Sequence, residues 1–282
     1  MITAEIEFHA PRQLSDALAL LARYGDAAKL LGGGMSLVPT MNLGLARPEV
    51  LISLNHVAEL AGIRETDDEL RIGGGTTHAQ IAGDPLVARH CPILAEAARN
   101  IGDVQVRNRG TIGGSTAHAD PAADYLPVLV ALGATIVAAS TSGERAVPAA
   151  EFFVDIMLTS LNPDELIAEV RVPKLPTTTG TAYRRLARVE GSFPIVNAAA
   201  VVAARGPVRV AIGGVAARPV LVDLTNVLGN GVDEAALERA ADAVREACAD
   251  AFEDLNGDAE YRREMAAVYA RRAIVAAGDA PR

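Results

Sequence analysis

Two short segments constrain this chain more than any other feature. In each, an apolar run stops at consecutive glycines and a hydroxyl residue follows: Leu31-Gly32-Gly33-Gly34-Met35-Ser36, and Thr111-Ile112-Gly113-Gly114-Ser115. Glycine lacks a Cβ and tolerates positive φ, so successive main-chain N–H groups in such a loop can converge on one anion. Ser36, Thr111 and Ser115 add hydroxyl donors. A diphosphate held in this way needs no lysine or arginine directly on it. The other reading is that such glycines only make tight turns, and it fits the triplet Gly73-Gly74-Gly75 best. Neither segment has the G-x-G-x-x-G spacing of a Rossmann fingerprint, and no Gly-Lys-Ser/Thr of a P-loop occurs.

Periodicity sets these segments in an α/β frame. Residues 2–8 alternate as a strand does, and Ser15 or Asp16 can cap a helix running to Ala22. Residues 29–31 and 50–54 read as short apolar strands. Residues 70–72 form a strand before the second triplet, and helices are expected over 77–82 and 92–100. A polar, basic loop follows at 105–109. Asp120-Pro121 has helix-start chemistry, with a helix running to Leu132, then strands over 134–139 and 166–172. The stretch Pro173-Lys174-Leu175-Pro176-Thr177-Thr178-Thr179-Gly180 shifts in composition and marks a boundary. Beyond it, residues 182–189, 195–203 and 208–212 read as antiparallel strands, with a turn at Arg205-Gly206-Pro207. Two amphipathic helices close the chain, over 233–251 and 258–277.

Composition excludes several classes. Cys91 and Cys248 are the two cysteines. They are too few for a disulfide framework, or for an iron–sulfur cluster with about four protein ligands. Any cluster chemistry would therefore belong to a partner chain. A net charge of −9, with 4% aromatic residues and no tryptophan, argues against nucleic acid. No basic-then-apolar leader opens the sequence, and no apolar run reaches the roughly 18 residues of a membrane helix, so a cytoplasmic protein is expected.

The second glycine segment continues as Ala117-His118-Ala119-Asp120-Pro121-Ala122-Ala123-Asp124. Together they resemble the flavin motif of the FAD-binding medium subunits of the xanthine dehydrogenase and carbon monoxide dehydrogenase (molybdenum hydroxylase) family. Residues 30–37, with Pro39 and Leu45-Ala46-Arg47-Pro48, resemble that family's first glycine motif, with Gly32 where alanine is common. The likeness covers nearly the whole chain. It implies an α+β fold. Two α/β FAD-binding subdomains of the p-cresol methylhydroxylase/vanillyl-alcohol oxidase kind would span residues 1–57 and 58–175. A C-terminal α+β domain with an antiparallel sheet would span 176–282. It also implies FAD in this chain, iron–sulfur clusters in a small partner subunit and the molybdenum cofactor in a large one, in a dimer of heterotrimers. The chain would be an oxidoreductase subunit that passes electrons between partner clusters and an external acceptor, with no catalytic acid or base of its own.

The resemblance also assigns residues. Leu31, Gly32, Gly33, Gly34, Met35, Ser36 and Leu37 would wrap one side of the diphosphate. Thr111, Ile112, Gly113, Gly114 and Ser115 would supply the second loop. Asp124, one turn into the helix begun at Asp120-Pro121, would accept a hydrogen bond from a ribityl or sugar-like hydroxyl. As a ligand and not a fold element, it would be replaceable without harm to the apo-protein. Ile101 would lie near the adenine or flavin, and Ile167 would offer its backbone to the isoalloxazine ring. Arg184 stands where the family often has lysine, and Phe193 where relatives have an aromatic over the ring.

Two rival classes stay open on the residues alone. One is a stand-alone FAD-dependent oxidoreductase of the same fold, which would need its own acid, base or substrate clamp. The other is a flavin-free scaffold module. His118 and Asp120 lack a second histidine and are weak as a metal site, so no metal is expected. Cys91 beside His90 is no catalytic dyad. Arg107, Arg109, Arg262, Arg263, Arg271 and Arg272 read as solvated or partner-facing charge.

Overall fold

The computed structural model describes residues 5–204, 206–229 and 233–279. The first unit is a three-stranded parallel sheet. Strand β1 (Glu7–His9) is followed by α1 (Leu14–Tyr24), β2 (Ala28–Leu31), α2 (Leu37–Asn42) and β3 (Val50–Ser53). Residues 2–4 of the expected first strand lie outside the described residues. The strand order β1-β3-β2 puts β3 in the centre, and all four of its residues, Val-Leu-Ile-Ser, are buried. An unbroken apolar run is what a central parallel strand requires. Helix α1 buries Ala17, Leu18 and Leu21. Ser15 and Asp16 do not cap it. The helix starts after Gln13, and Glu59 Oε1 accepts the Leu14 N–H at 3.1 Å from outside the local sequence.

The second unit opens with β4 (Ile63–Glu65) and β5 (Glu69–Gly73). Five short helices follow: α3 (His78–Gly83), α4 (Pro85–His90), α5 (Pro92–Asn100), α6 (Val104–Arg109) and α7 (Ile112–His118). Then come α8 (Tyr125–Leu132), β6 (Thr135–Ser140), β7 (Gly143–Pro148), α9 (Ala149–Phe152), the hairpin β8 (Phe153–Asp155) and β9 (Leu158–Thr159), and β10 (Leu166–Pro173). The five-stranded sheet runs β4-β5-β10-β6-β7 and is antiparallel throughout. The register of β10 on β6 slips between Ile167 and Glu169, leaving Ala168 as an extra residue. Helix α8 is apolar all round and all eight of its residues are buried, as a helix enclosed on every side must be.

Two expectations are corrected in this unit. Residues 105–109 form helix α6 and not a loop, because Asp103 caps it by accepting the Val106 N–H at 2.8 Å. The helix expected from Asp120-Pro121 begins later, at Tyr125. Asp120 Oδ1 accepts the Ala122 N–H at 2.9 Å and closes a turn instead, so Asp124 directly precedes α8 and is not one turn inside it.

The third unit is an antiparallel meander of β11 (Thr179–Leu186), β12 (Val196–Ala203), β13 (Val208–Gly213) and β14 (Val220–Asp223), with α10 (Thr225–Leu228), α11 (Glu234–Ala247) and α12 (Ala259–Gly278). Arg205 of the expected turn lies outside the described residues. Asp233 and Asp258 cap the two long helices, accepting the N–H groups of Ala236 and Tyr261. Strand β12 is buried on both faces. Ala198 and Ala200 pack in the α11–α12 core, while Ala199 and Val201 join the core built around α8. Arg262 corrects the reading of the terminal arginines as solvated. It is 2% exposed, donates to the carbonyls of Ile195 and Gly214, pairs with Asp254 and lies over the Phe252 ring. Among the described residues, no helix is long and apolar enough to cross a membrane.

Candidate functional site

The glycine segments meet. A Cβ on Gly33 would sit 2.0 Å from the Arg109 carbonyl oxygen and 2.6 Å from the Gly110 Cα, so the first loop rests on the backbone just before the second. The second is not a loop. Thr111 is the N-cap of α7, accepting the Gly114 N–H at 3.0 Å, and Gly113 stands in the first helical turn. Its N–H donates to the Gly74 carbonyl at 2.9 Å, and a Cβ there would approach that oxygen to 2.6 Å. Gly74 in turn donates to the Ala168 carbonyl at 2.8 Å, at the extra residue of β10. The middle triplet is thus more than a turn. It is the layer through which Gly113 and Ile167 stack backbone on backbone.

The two segments differ in what they offer an anion. Among the described residues, the main-chain N–H groups of Gly32, Gly33, Gly34, Met35, Ser36 and Leu37 donate to no protein acceptor. In the second segment those groups are occupied. Ile112 donates to Thr76, Gly113 to Gly74, Gly114 to the Thr111 hydroxyl and Ser115 to the Thr111 carbonyl. The second segment therefore presents side chains and a rigid wall, and the first presents the run of donors.

Three of the remaining assigned residues, Asp124, Ile101 and Phe193, lie at or next to the contacts of Arg185. Its Nη1 lies 3.1 Å from Asp124 Oδ1 and also donates to the Asn100 carbonyl, and its Nη2 donates to the Ser192 carbonyl. Tyr183 Oη donates to the same Asp124 oxygen at 2.6 Å. Asp124 is 4% exposed. Burial raises its pKa, opposed by the Arg185 cation and the Tyr183 hydroxyl. It is consequently part of the fold, which corrects the expectation that the apo-protein would not need it. Ile101, half-buried, follows Asn100, and its carbonyl and that of Gly102 accept from Arg107 at 3.0 and 2.9 Å. Arg107 is a clamp on this loop, not a solvated charge. Phe193 follows Ser192 and is 59% exposed.

Arg184 is not brought to this cluster. Side chains alternate along β11, so Tyr183 and Arg185 share one face and Arg184 takes the other. There it pairs with Glu96 at 2.8 Å and lines a groove of about 490 Å³ with Val268, Arg271 and Val275 of α12. A second groove of about 360 Å³, at Gly62, Thr76 and Pro85, contains none of the assigned residues. Tyr183 and Arg185 were missed from the sequence, although strand alternation through Tyr183-Arg184-Arg185 could have separated the two arginines. Both thiols are buried and burial pushes each up to about 12, so neither is a nucleophile. Among the described residues, no group of three His, Cys, Asp or Glu side chains could hold a metal ion.

Two family patterns together cover nearly the whole chain. The pattern of the FAD-binding domain in molybdopterin dehydrogenase matches residues 4–175, and that of the carbon monoxide dehydrogenase flavoprotein C-terminal domain matches residues 181–277. The carbon monoxide dehydrogenase medium chain of Hydrogenophaga pseudoflava is 40% identical, over 98% of each chain. The nicotine 6-hydroxylase medium subunit of Paenarthrobacter nicotinovorans is 39% identical, over 97% of each. A solved structure of the Hydrogenophaga pseudoflava carbon monoxide dehydrogenase, lacking the Mo-pyranopterin moiety of its cofactor, superposes with a TM-score of 0.93 over 99% of each chain. The chain belongs to the family of FAD-binding medium subunits of molybdenum hydroxylases of the carbon monoxide dehydrogenase type.

Proposed function

We propose that this chain holds one FAD between the loop of residues 31–37 and the wall formed by residues 111–115, and serves as the electron-transfer subunit of a cytoplasmic heterotrimer. The observation that carries the reading is the run of N–H groups from Gly32 to Leu37 that no protein acceptor takes, set against a glycine-built wall. Such a run suits a diphosphate, because several unoccupied main-chain donors follow one another with no side-chain charge to desolvate. The hydroxyls of Ser36 and Ser115 add donors beside it. Asp124 and the Ile101, Ile167 and Phe193 positions would line the sugar and ring portions, with Arg184 left aside.

FAD, when bound, supplies exchange between one-electron and two-electron carriers. The residues of this chain bind and orient it, and they bring no acid, base or metal to an organic substrate. We place cluster and molybdenum chemistry on a small and a large partner subunit, and the whole in a dimer of heterotrimers. We place unit boundaries after residues 57 and 175; the first falls between the three-stranded and five-stranded sheets, and the second falls at the end of the first matched span.

Two measurements test this. Flavin released from the purified chain should chromatograph as FAD, in a ratio near one per chain; FMN as the main species would contradict it. The isolated chain should reduce dyes from a suitable electron donor yet leave organic substrates untouched. Robust turnover of an organic substrate by this chain alone would overturn the subunit reading.

A further inference from the structure

Ile101, Asp124 and Phe193 come from three distant parts of the chain: the end of α5, the residue before α8 and the turn between β11 and β12. One guanidinium touches the chain at or beside all three. Arg185 pairs with the Asp124 carboxylate, donates to the carbonyl of Asn100, which precedes Ile101, and donates to the carbonyl of Ser192, which precedes Phe193. Its side chain is only 12% exposed, so water competes little for these acceptors.

We propose that Arg185 is the positioning residue of the flavin site, fixing the relative places of Ile101, Asp124 and Phe193 through one planar fork. This rests on the FAD reading above. The physical argument is the shape of the donor. A guanidinium presents five N–H groups in a fixed plane, so acceptors held at two of its nitrogens are fixed relative to one another. A lysine ammonium is a point charge on a flexible stem. It can still face Asp124, but it cannot hold two carbonyls at set positions. The Tyr183 hydroxyl, on the same face of β11, fixes the Asp124 carboxylate from a second direction. The C-terminal sheet, by this account, aligns the cofactor contacts of the preceding unit and does more than cover them.

The test uses the full chain, stripped of flavin and titrated with FAD, as wild type and Arg185→Lys. Apo melting reports the fold, and visible circular dichroism of the bound flavin reports its surroundings. The lysine variant should fold but melt somewhat below wild type, because the Asn100 and Ser192 carbonyls lose a charged donor, and it should bind FAD about 10- to 100-fold more weakly because those segments are no longer held in place. Its flavin dichroism should also change. Wild-type affinity and dichroism in Arg185→Lys would overturn the proposal while leaving the FAD reading intact. A wild-type chain that takes up no FAD would overturn both. Should Arg185→Lys fail to fold, Arg185→Gln combined with Asp124→Asn leaves no unpaired buried charge and is compared with Asp124→Asn alone. A further loss of FAD affinity supports the proposal, and none overturns it.

Discussion

His78 is 4% exposed, its main-chain N–H donates to the Gly110 carbonyl, and its ring Nδ1 meets the Tyr125 hydroxyl at 3.2 Å beneath the second glycine segment. Burial, with the Arg107 cation nearby, lowers its pKa to about 4. The folded chain therefore keeps this imidazole neutral while the unfolded chain protonates it near its ordinary value of about 6.5. Stability is full above that value and falls as the pH drops from about 6.5 toward 4, by about 3 kcal/mol in all. His78→Gln should flatten the fall in melting temperature over that window relative to wild type. Equal slopes in the two proteins would show that His78 does not titrate this way. Asp124 makes a different case, since its partner is a buried cation. Asp124→Ala leaves Arg185 without its counter-charge and should cost the apo-protein about 3–5 kcal/mol. Asp124→Asn keeps one acceptor oxygen and should cost less. FAD titration of both should show weakening of about 10- to 150-fold. An Asp124→Ala apo-protein that melts like wild type would refute the ion-pair account.

Loop elements carry the next prediction, because neighbouring glycines in the first segment face different surroundings. A Cβ on Gly32 would meet the Thr111 hydroxyl at 3.1 Å, an overlap that a shift of a few tenths of an ångström relieves, whereas one on Gly33 would sit 2.0 Å from the Arg109 carbonyl oxygen. Gly32→Ala should retain both fold and flavin. Gly33→Ala should lower the flavin-to-protein ratio sharply and destabilise by about 1–3 kcal/mol, as overpacking does. Flavin loss of the same size in both variants would sink the distinction. The same contrast shows what was legible in the sequence. The two glycine segments, strand β12 and the capped helices α11 and α12 could be read because periodicity and cap residues are local signals. The roles of Gly33 and Gly113 were not, since their reason is another stretch of backbone. Helix α6 is six residues long with no buried side chain, so it carries no apolar stripe to find. Edge strand β14, Val220–Asp223, is too short to show an alternation of its own. Arg262 was read as surface because its carbonyl partners lie 67 and 48 residues away in the chain, and nothing in α12 marks which arginine turns inward.

At the scale of the whole molecule, the C-terminal sheet and the flavin-binding units share a core. Tyr183, Ala199, Val201 and Ala211 of the sheet pack in the same cluster as Leu70 and Ile72 of β5 and every residue of α8 but Pro127. The junction of Tyr183 and Arg185 on Asp124 lies at this boundary. A chain ending near residue 175 would expose one side of α8, where each large apolar side chain returned to water costs about 1.5–3 kcal/mol. It would also leave Asp124 buried beside nothing or drawn out to solvent. Such a fragment should therefore be aggregated or molten, although a family pattern spans it almost completely. The intact chain should unfold in a single calorimetric transition. Added FAD should move that whole transition upward, by about 2.7 kcal/mol of stability at a free concentration of 100 Kd, because ligand bound to the native state alone stabilises whatever unfolds with it. Two resolved transitions, only one of them shifted by FAD, would mean that the C-terminal unit folds by itself and that the Asp124 junction does not couple it to the flavin site.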